Sequence, residues 1–191
     1  MLKLGVIVGH SEKDGGAVLN IIPIAAQQNF QKNVAQEYDY NLQIAQILKM
    51  RSRAYGFDVE IFDRNNKTIE EAHAAAEEWG AEVVLELHFN SSEDKSVKGA
   101  EILVLQKYDE KSLFEEELCQ RMANLFQGPN RGVKHPDSRG LRNVNRPVPT
   151  YLLEPFFGSN QEQAVVALEA MVPYTTVIFV CLRKYFANIV Q

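Results

Sequence analysis

Apolar residues recur in this chain in two alternating rhythms: short unbroken runs, and longer stretches in which they return every three or four positions. The first run, Val6-Ile7-Val8, is bounded by Gly5 and Gly9 and predicts a strand buried on both faces, ending at His10. Residues 37–55 place Tyr38, Leu42, Ala45 and Leu48 at helical spacing, with Gly56 positioned to cap the helix end. Val59-Glu60-Ile61-Phe62 predicts a second strand. Thr68-Ile69-Glu70-Glu71 has the Thr-x-x-Glu form of a capping box and opens an alanine-rich helix through Trp79, stopped by Gly80. Residues 83–89 and 99–105 predict two further strands, and Ser112-x-x-Glu115 opens another capped helix that closes before Gly128-Pro129.

Stretches without a period lie between these elements. Residues 11–33, rich in Gly, Asn and Gln, predict mostly loop. Residues 130–149 are rich in Arg, Asn, Gly and Pro and predict a long functional loop, after which Tyr151-Leu152-Leu153 returns to strand character. Residues 160–186 predict helix that breaks or kinks near Pro173, which has no N–H to give the helix ladder. Strand and helix alternate throughout. The fold class expected is therefore α/β, a three-layer arrangement with a mostly parallel (mixed) sheet and helices on both faces. At 191 residues, the chain 1–191 is read as one domain.

Composition narrows the partners. A hydrophobic share of 46% and a charged share of 24% exclude a mostly disordered chain, a fibre and a disulfide-stapled miniprotein. The net charge of −5 argues against nucleic acid, whose binders present a basic surface. Cys119 and Cys181 stand singly in apolar stretches and read as packed thiols. The N-terminal apolar run is too short for a signal peptide, and residues 174–182 fall short of the about 20 residues a bilayer crossing needs. No export signal and no stable membrane insertion are expected.

Polar residues that follow apolar strand cores are the first candidates for chemistry, because ligands of open α/β sheets bind beyond the carboxyl ends of strands. His10, His88 and Glu154 hold such positions, and Glu37 stands at a helix start on the stripe of Asn41, Ile44 and Leu48. Each has a plain structural reading: His10 as a loop residue, Glu37 as a complement to a helix N-terminus. His88 inside Leu85-Glu86-Leu87-His88-Phe89, and Glu154 between Leu152-Leu153 and Pro155-Phe156-Phe157, require partners if buried. Two imidazoles and a carboxylate make a ligand set for catalytic zinc, and a further carboxylate can then serve as proton carrier in amide hydrolysis. His73 reads as a solvated residue among acids, Asp14-Gly15-Gly16 as a turn, and His135 as a loop residue without independent support. His10-Ser11-Glu12 starts like a zinc-deaminase signature, but the required Pro-Cys-x-x-Cys is absent.

Several ordered blocks carry a resemblance: Gly9-His10 with Gly16-Ala17, Glu37-x-x-x-Asn41-Leu42-x-x-Ala45, His88-Phe89-Asn90, Gly99-Ala100-Glu101, Arg131-Gly132-Val133-Lys134, and residues 153–160, Leu-Glu-Pro-Phe-Phe-Gly-Ser-Asn. With these the chain resembles the zinc-dependent N-acetylmuramoyl-L-alanine amidases of the Amidase_3 family, particularly their compact phage and prophage forms. The resemblance implies Zn²⁺ held by His10, Glu37 and His88, with Glu154 as the catalytic acid–base. It implies peptidoglycan as substrate, cut between N-acetylmuramic acid and the first L-alanine of the stem peptide. With no export signal in view, action at the bacterial cell wall after release from the cytoplasm is expected. Two rivals share these residues or this fold: a zinc peptidase or carboxypeptidase, and a metal-free wall-binding or regulatory domain, from which retention of Glu154 distinguishes an enzyme.

Overall fold

The computed structural model describes residues 1–21, 36–105, 113–135 and 147–189. Its strands are β1 (Leu2–Val8), β2 (Phe57–Phe62), β3 (Val83–Leu87), β4 (Ala100–Val104), β5 (Asn130–Lys134) and β6 (Thr150–Glu154). The helices are α1 (Glu37–Tyr55), α2 (Ile69–Trp79), α3 (Leu113–Leu125), α4 (Gln161–Glu169) and α5 (Met171–Ile189). The six strands form one mixed sheet in the order β2-β1-β3-β6-β4-β5, parallel at every pairing except β4 with β6. This is the α/β, mostly parallel arrangement that the alternation of runs and periods predicts.

Both faces of the sheet are covered. On one, α5 packs against α1 and α3 over the larger core, where Leu4, Val6, Leu85, Ile102 and Leu153 meet Ile44, Leu118 and Phe179. On the other, Ala72 and Ala76 of α2 lie against Ile7 and Val84. Alternation within β3 explains the division, since successive side chains leave opposite faces: Val83 and Leu85 enter the larger cluster and Val84 the smaller. The caps follow the sequence. Thr68 and Glu71 complete the capping box, Thr68 Oγ1 accepting from the Glu71 N–H at 3.2 Å and Glu71 Oε2 from the Thr68 N–H at 2.7 Å. Gly56 and Gly80 cap α1 and α2 at their C-terminal ends.

Two expectations change. Residues 130–134 are not loop but the edge strand β5, which pairs only with β4 among the described strands and carries Arg131 and Lys134. Charged side chains suit a sheet edge, where solvent keeps one flank of the strand wet. The C-terminal helix does break near Pro173: the break falls at Ala170, with α4 and α5 meeting at 78°. Pro173 lies in the first turn of α5, where a missing N–H forfeits no ladder bond. His73 is not solvated: it is 1% exposed, on the stripe of Ala72 and Ala76 that faces the sheet, because the buried carboxylate of Glu86 accepts its Nε2–H. Cys119 and Cys181 are buried free thiols. The Ser112 cap and residues 136–146 of the expected loop lie outside the described residues. No single helix among the described residues is long and apolar enough to cross a membrane.

Candidate functional site

β1 leads through α1 to β2 on one side of it and returns through α2 to β3 on the other, so the order of strands reverses between β1 and β3. A crevice at such a switch point is where doubly wound sheets bind ligands. Val8 pairs with Leu87, so His10 and His88 both lie just past the carboxyl ends of neighbouring parallel strands. Glu37, the first residue of α1, points into the same space. It is 2% exposed, and Asn41, Ile44 and Leu48 are buried along the same stripe.

The Glu37 carboxylate is fully engaged. Oε1 lies 2.8 Å from His88 Nδ1 and accepts from the Phe89 N–H at 3.1 Å. Oε2 accepts from the Ala17 N–H at 3.0 Å and lies 3.3 Å from His10 Nε2. The other nitrogen of His10, Nδ1, is 3.0 Å from Asp14 Oδ2, and the two imidazoles meet edge to face with centroids 5.1 Å apart. Two glycines leave space for this packing. A Cβ on Gly9 would stand 2.6 Å from His88 Cε1, and one on Gly16, whose φ is +70°, would stand 2.6 Å from His10 Cδ2. His10 itself holds a left-handed φ of 64°, uncommon for a residue with a side chain and characteristic of functional sites.

The electrostatics are those of a cluster that shares protons tightly. Burial alone would raise the Glu37 pKa, but hydrogen bonds from His10 and His88 hold it down to about 2. Burial would lower the pKa of His88, and the bonds to Glu37 and Glu86 instead push it up to about 10. His10 is raised as well, chiefly by its bond to Glu37. A divalent cation would take the place of those protons among the same atoms. The donor set fits: one ligand atom from each of His10, Glu37 and His88 lies within 4.8 Å of the others, and two nitrogens with one oxygen suit zinc.

Glu154 ends the next strand. β6 pairs with β3 through Leu153 and Leu87, and the Leu153 carbonyl accepts from the His88 N–H at 3.0 Å. Across the antiparallel pair, Glu154 is opposite Glu101. The Asn90 amide joins the two, its Nδ2 donating to Glu101 Oε1 at 3.0 Å and also to Glu154 Oε2. Glu101 is 0% exposed and accepts from Arg131 Nε at 3.0 Å, while the Arg131 guanidinium lies over Phe157 at 5.0 Å.

The Amidase_3 family model, described as N-acetylmuramoyl-L-alanine amidase, matches residues 5–170. The chain belongs to the N-acetylmuramoyl-L-alanine amidase family. It is thus an enzyme of the amidase class, and the match runs from β1 to the end of α4. Comparison with curated proteins by sequence finds no match. Among solved structures, the chain resembles the catalytic domain of CwlV, an N-acetylmuramoyl-L-alanine amidase from Bacillus (Paenibacillus) polymyxa var. colistinus, with a TM-score of 0.73 and 19% identity over 98% of this chain and 99% of that one. The amidase AmiC2 of Nostoc punctiforme gives a TM-score of 0.73 and 19% identity over 97% of each chain. The catalytic domain of an endolysin targeting Clostridia difficile gives 0.68 and 24% identity over 96% of this chain and 98% of that one. At these identities the structural likeness concerns the amidase fold.

The crevice of this amidase thus brings His10, Glu37 and His88 into one cluster, with Glu154 on the adjoining strand. The sequence alone assigns no role to Asn90, Glu101, Arg131 or Glu86, and His73 reads there as solvated. One signal was present: Glu86 and His88 are two residues apart in a strand, which puts both on one face. His135 is exposed beyond β5.

Proposed function

We propose that the protein is a zinc-dependent N-acetylmuramoyl-L-alanine amidase that hydrolyses the amide between the lactyl group of N-acetylmuramic acid and the first L-alanine of the peptidoglycan stem. The observation that carries this reading is the convergence of two imidazoles and one buried carboxylate at the switch point of an amidase fold. His10, Glu37 and His88 are the residues to hold Zn²⁺, which when bound supplies a Lewis acid for the scissile carbonyl and lowers the pKa of water. Backbone N–H groups of Ala17 and Phe89 fix the Glu37 carboxylate, so it meets an ion without rearranging. Glu154 takes a proton from the attacking water and returns it to the leaving nitrogen. The Asn90 amide holds that carboxylate in its orientation. Action at the bacterial cell wall follows from the substrate.

Mass spectrometry of digested peptidoglycan tests the proposal. The expected products are a stem peptide with a new free amine on L-alanine and a glycan strand with an intact lactyl carboxylate, formed only when zinc is present. A new amine at any other residue would instead make the protein a peptidase, and an unchanged digest would contradict hydrolysis altogether.

A further inference from the structure

Behind His88, away from Glu37, a second carboxylate is buried beside the apolar layer that α2 lays on the sheet. Glu86 shares the side of β3 with Val84, against Ile7, Ala72 and Ala76, and is 4% exposed. An apolar residue would fill that layer without desolvating a charge, so a carboxylate there requires close partners. It has two. Glu86 Oε1 lies 3.0 Å from His88 Nε2, and Oε2 lies 3.2 Å from His73 Nε2. His88 therefore presents Nε2 to Glu86 and Nδ1 toward Glu37 and the space shared with His10. We propose that Glu86, anchored in turn by His73, is a positioning residue for the metal site: it accepts the Nε2–H of His88 and thereby fixes the tautomer and ring plane that leave Nδ1 free to ligate. A carboxylate behind a ligating imidazole also raises its basicity. The two bonds to Glu86 come from the residue just past β3 and from α2, so the ring orientation is tied to the layer of helix that covers this face.

The inference rests on His88 being a zinc ligand, and the test separates the two. Zn²⁺ binding to the full chain is measured by competition with a chromophoric chelator, and the Co²⁺-loaded protein supplies a ligand-field spectrum. Glu86→Met, which keeps the length of the side chain but has no acceptor for the His88 N–H, is expected to weaken Zn²⁺ binding by about 10- to 100-fold and to shift the Co²⁺ bands. His73→Leu, which leaves the carboxylate but removes its anchor, is expected to weaken binding by a smaller factor. It serves as the reading variant should Glu86→Met fail to fold. His73→Gln, whose amide can still donate to Glu86, is expected to stay near the parent. Parent-like affinity and spectrum in folded Glu86→Met, or in His73→Leu where that is the folded variant, would overturn the positioning role while leaving the zinc reading intact. A parent that binds no Zn²⁺ would overturn both.

Discussion

Two carboxylates face the crevice from opposite halves of the sheet, and their surroundings differ. Glu37, on the β1–β3 side, is almost wholly buried, with both oxygens taken by imidazoles and backbone N–H groups. Glu154, on the β6–β4 side, is half-buried and touches the side-chain amide of Asn90, which is itself steadied by Glu101. An acid whose every lone pair is fixed is suited to remain ionised and grip a cation. One that keeps access to solvent is suited to gain and lose a proton. In the proposed mechanism the same residue type thus takes two roles from its neighbours, a division familiar wherever paired carboxylates divide binding from proton transfer.

Substitutions on the two sides should separate these roles. The largest effect is expected for His88→Ala, which removes a proposed ligand: zinc content measured by elemental analysis falls to background and peptidoglycan hydrolysis with it. Chelation of the parent should mimic this loss, with activity restored by added Zn²⁺. Glu154→Gln is expected to keep its zinc yet lose roughly a hundred- to ten-thousandfold in turnover, the range for a missing acid–base. A variant that loses zinc as well would erase the distinction between the halves. Asn90→Ala should also retain metal and slow turnover by roughly ten- to a hundredfold, since a hydrogen bond to a charged group contributes about 1.5–3 kcal/mol. The smallest effect belongs to a site outside both halves. Thr68→Ala removes the cap of α2 and is expected to cost about 1 kcal/mol in denaturant unfolding with zinc content and turnover unchanged.

Much of this was legible in the residues. β1, α1 and the capped start of α2 follow directly from an apolar run, a helical stripe and the Thr-x-x-Glu box. His10, Glu37 and His88 stand out by their relation to those elements, and the parallel β1–β3 pairing then brings the two histidines side by side, with Glu37 reaching them from the start of α1. What the sequence hid depends on long-range contact. β5 is a polar edge strand, so its pattern is that of a loop until β4 supplies hydrogen bonds. His73 sits among acids in the chain, and only the packing of α2 on β3 turns it toward Glu86. Asn90 and Glu101 are 11 residues apart, and their link to Glu154 needs the antiparallel register of β4 with β6.

The central claim is that one Zn²⁺ sits among His10, Glu37 and His88. Anomalous scattering from a crystal of the parent protein, collected on both sides of the zinc edge, tests it directly. The account predicts a single strong peak bounded by the imidazole nitrogens of His10 and His88 and the carboxylate of Glu37. A zinc-supplemented crystal with no peak there, or with zinc held by other residues, would contradict it.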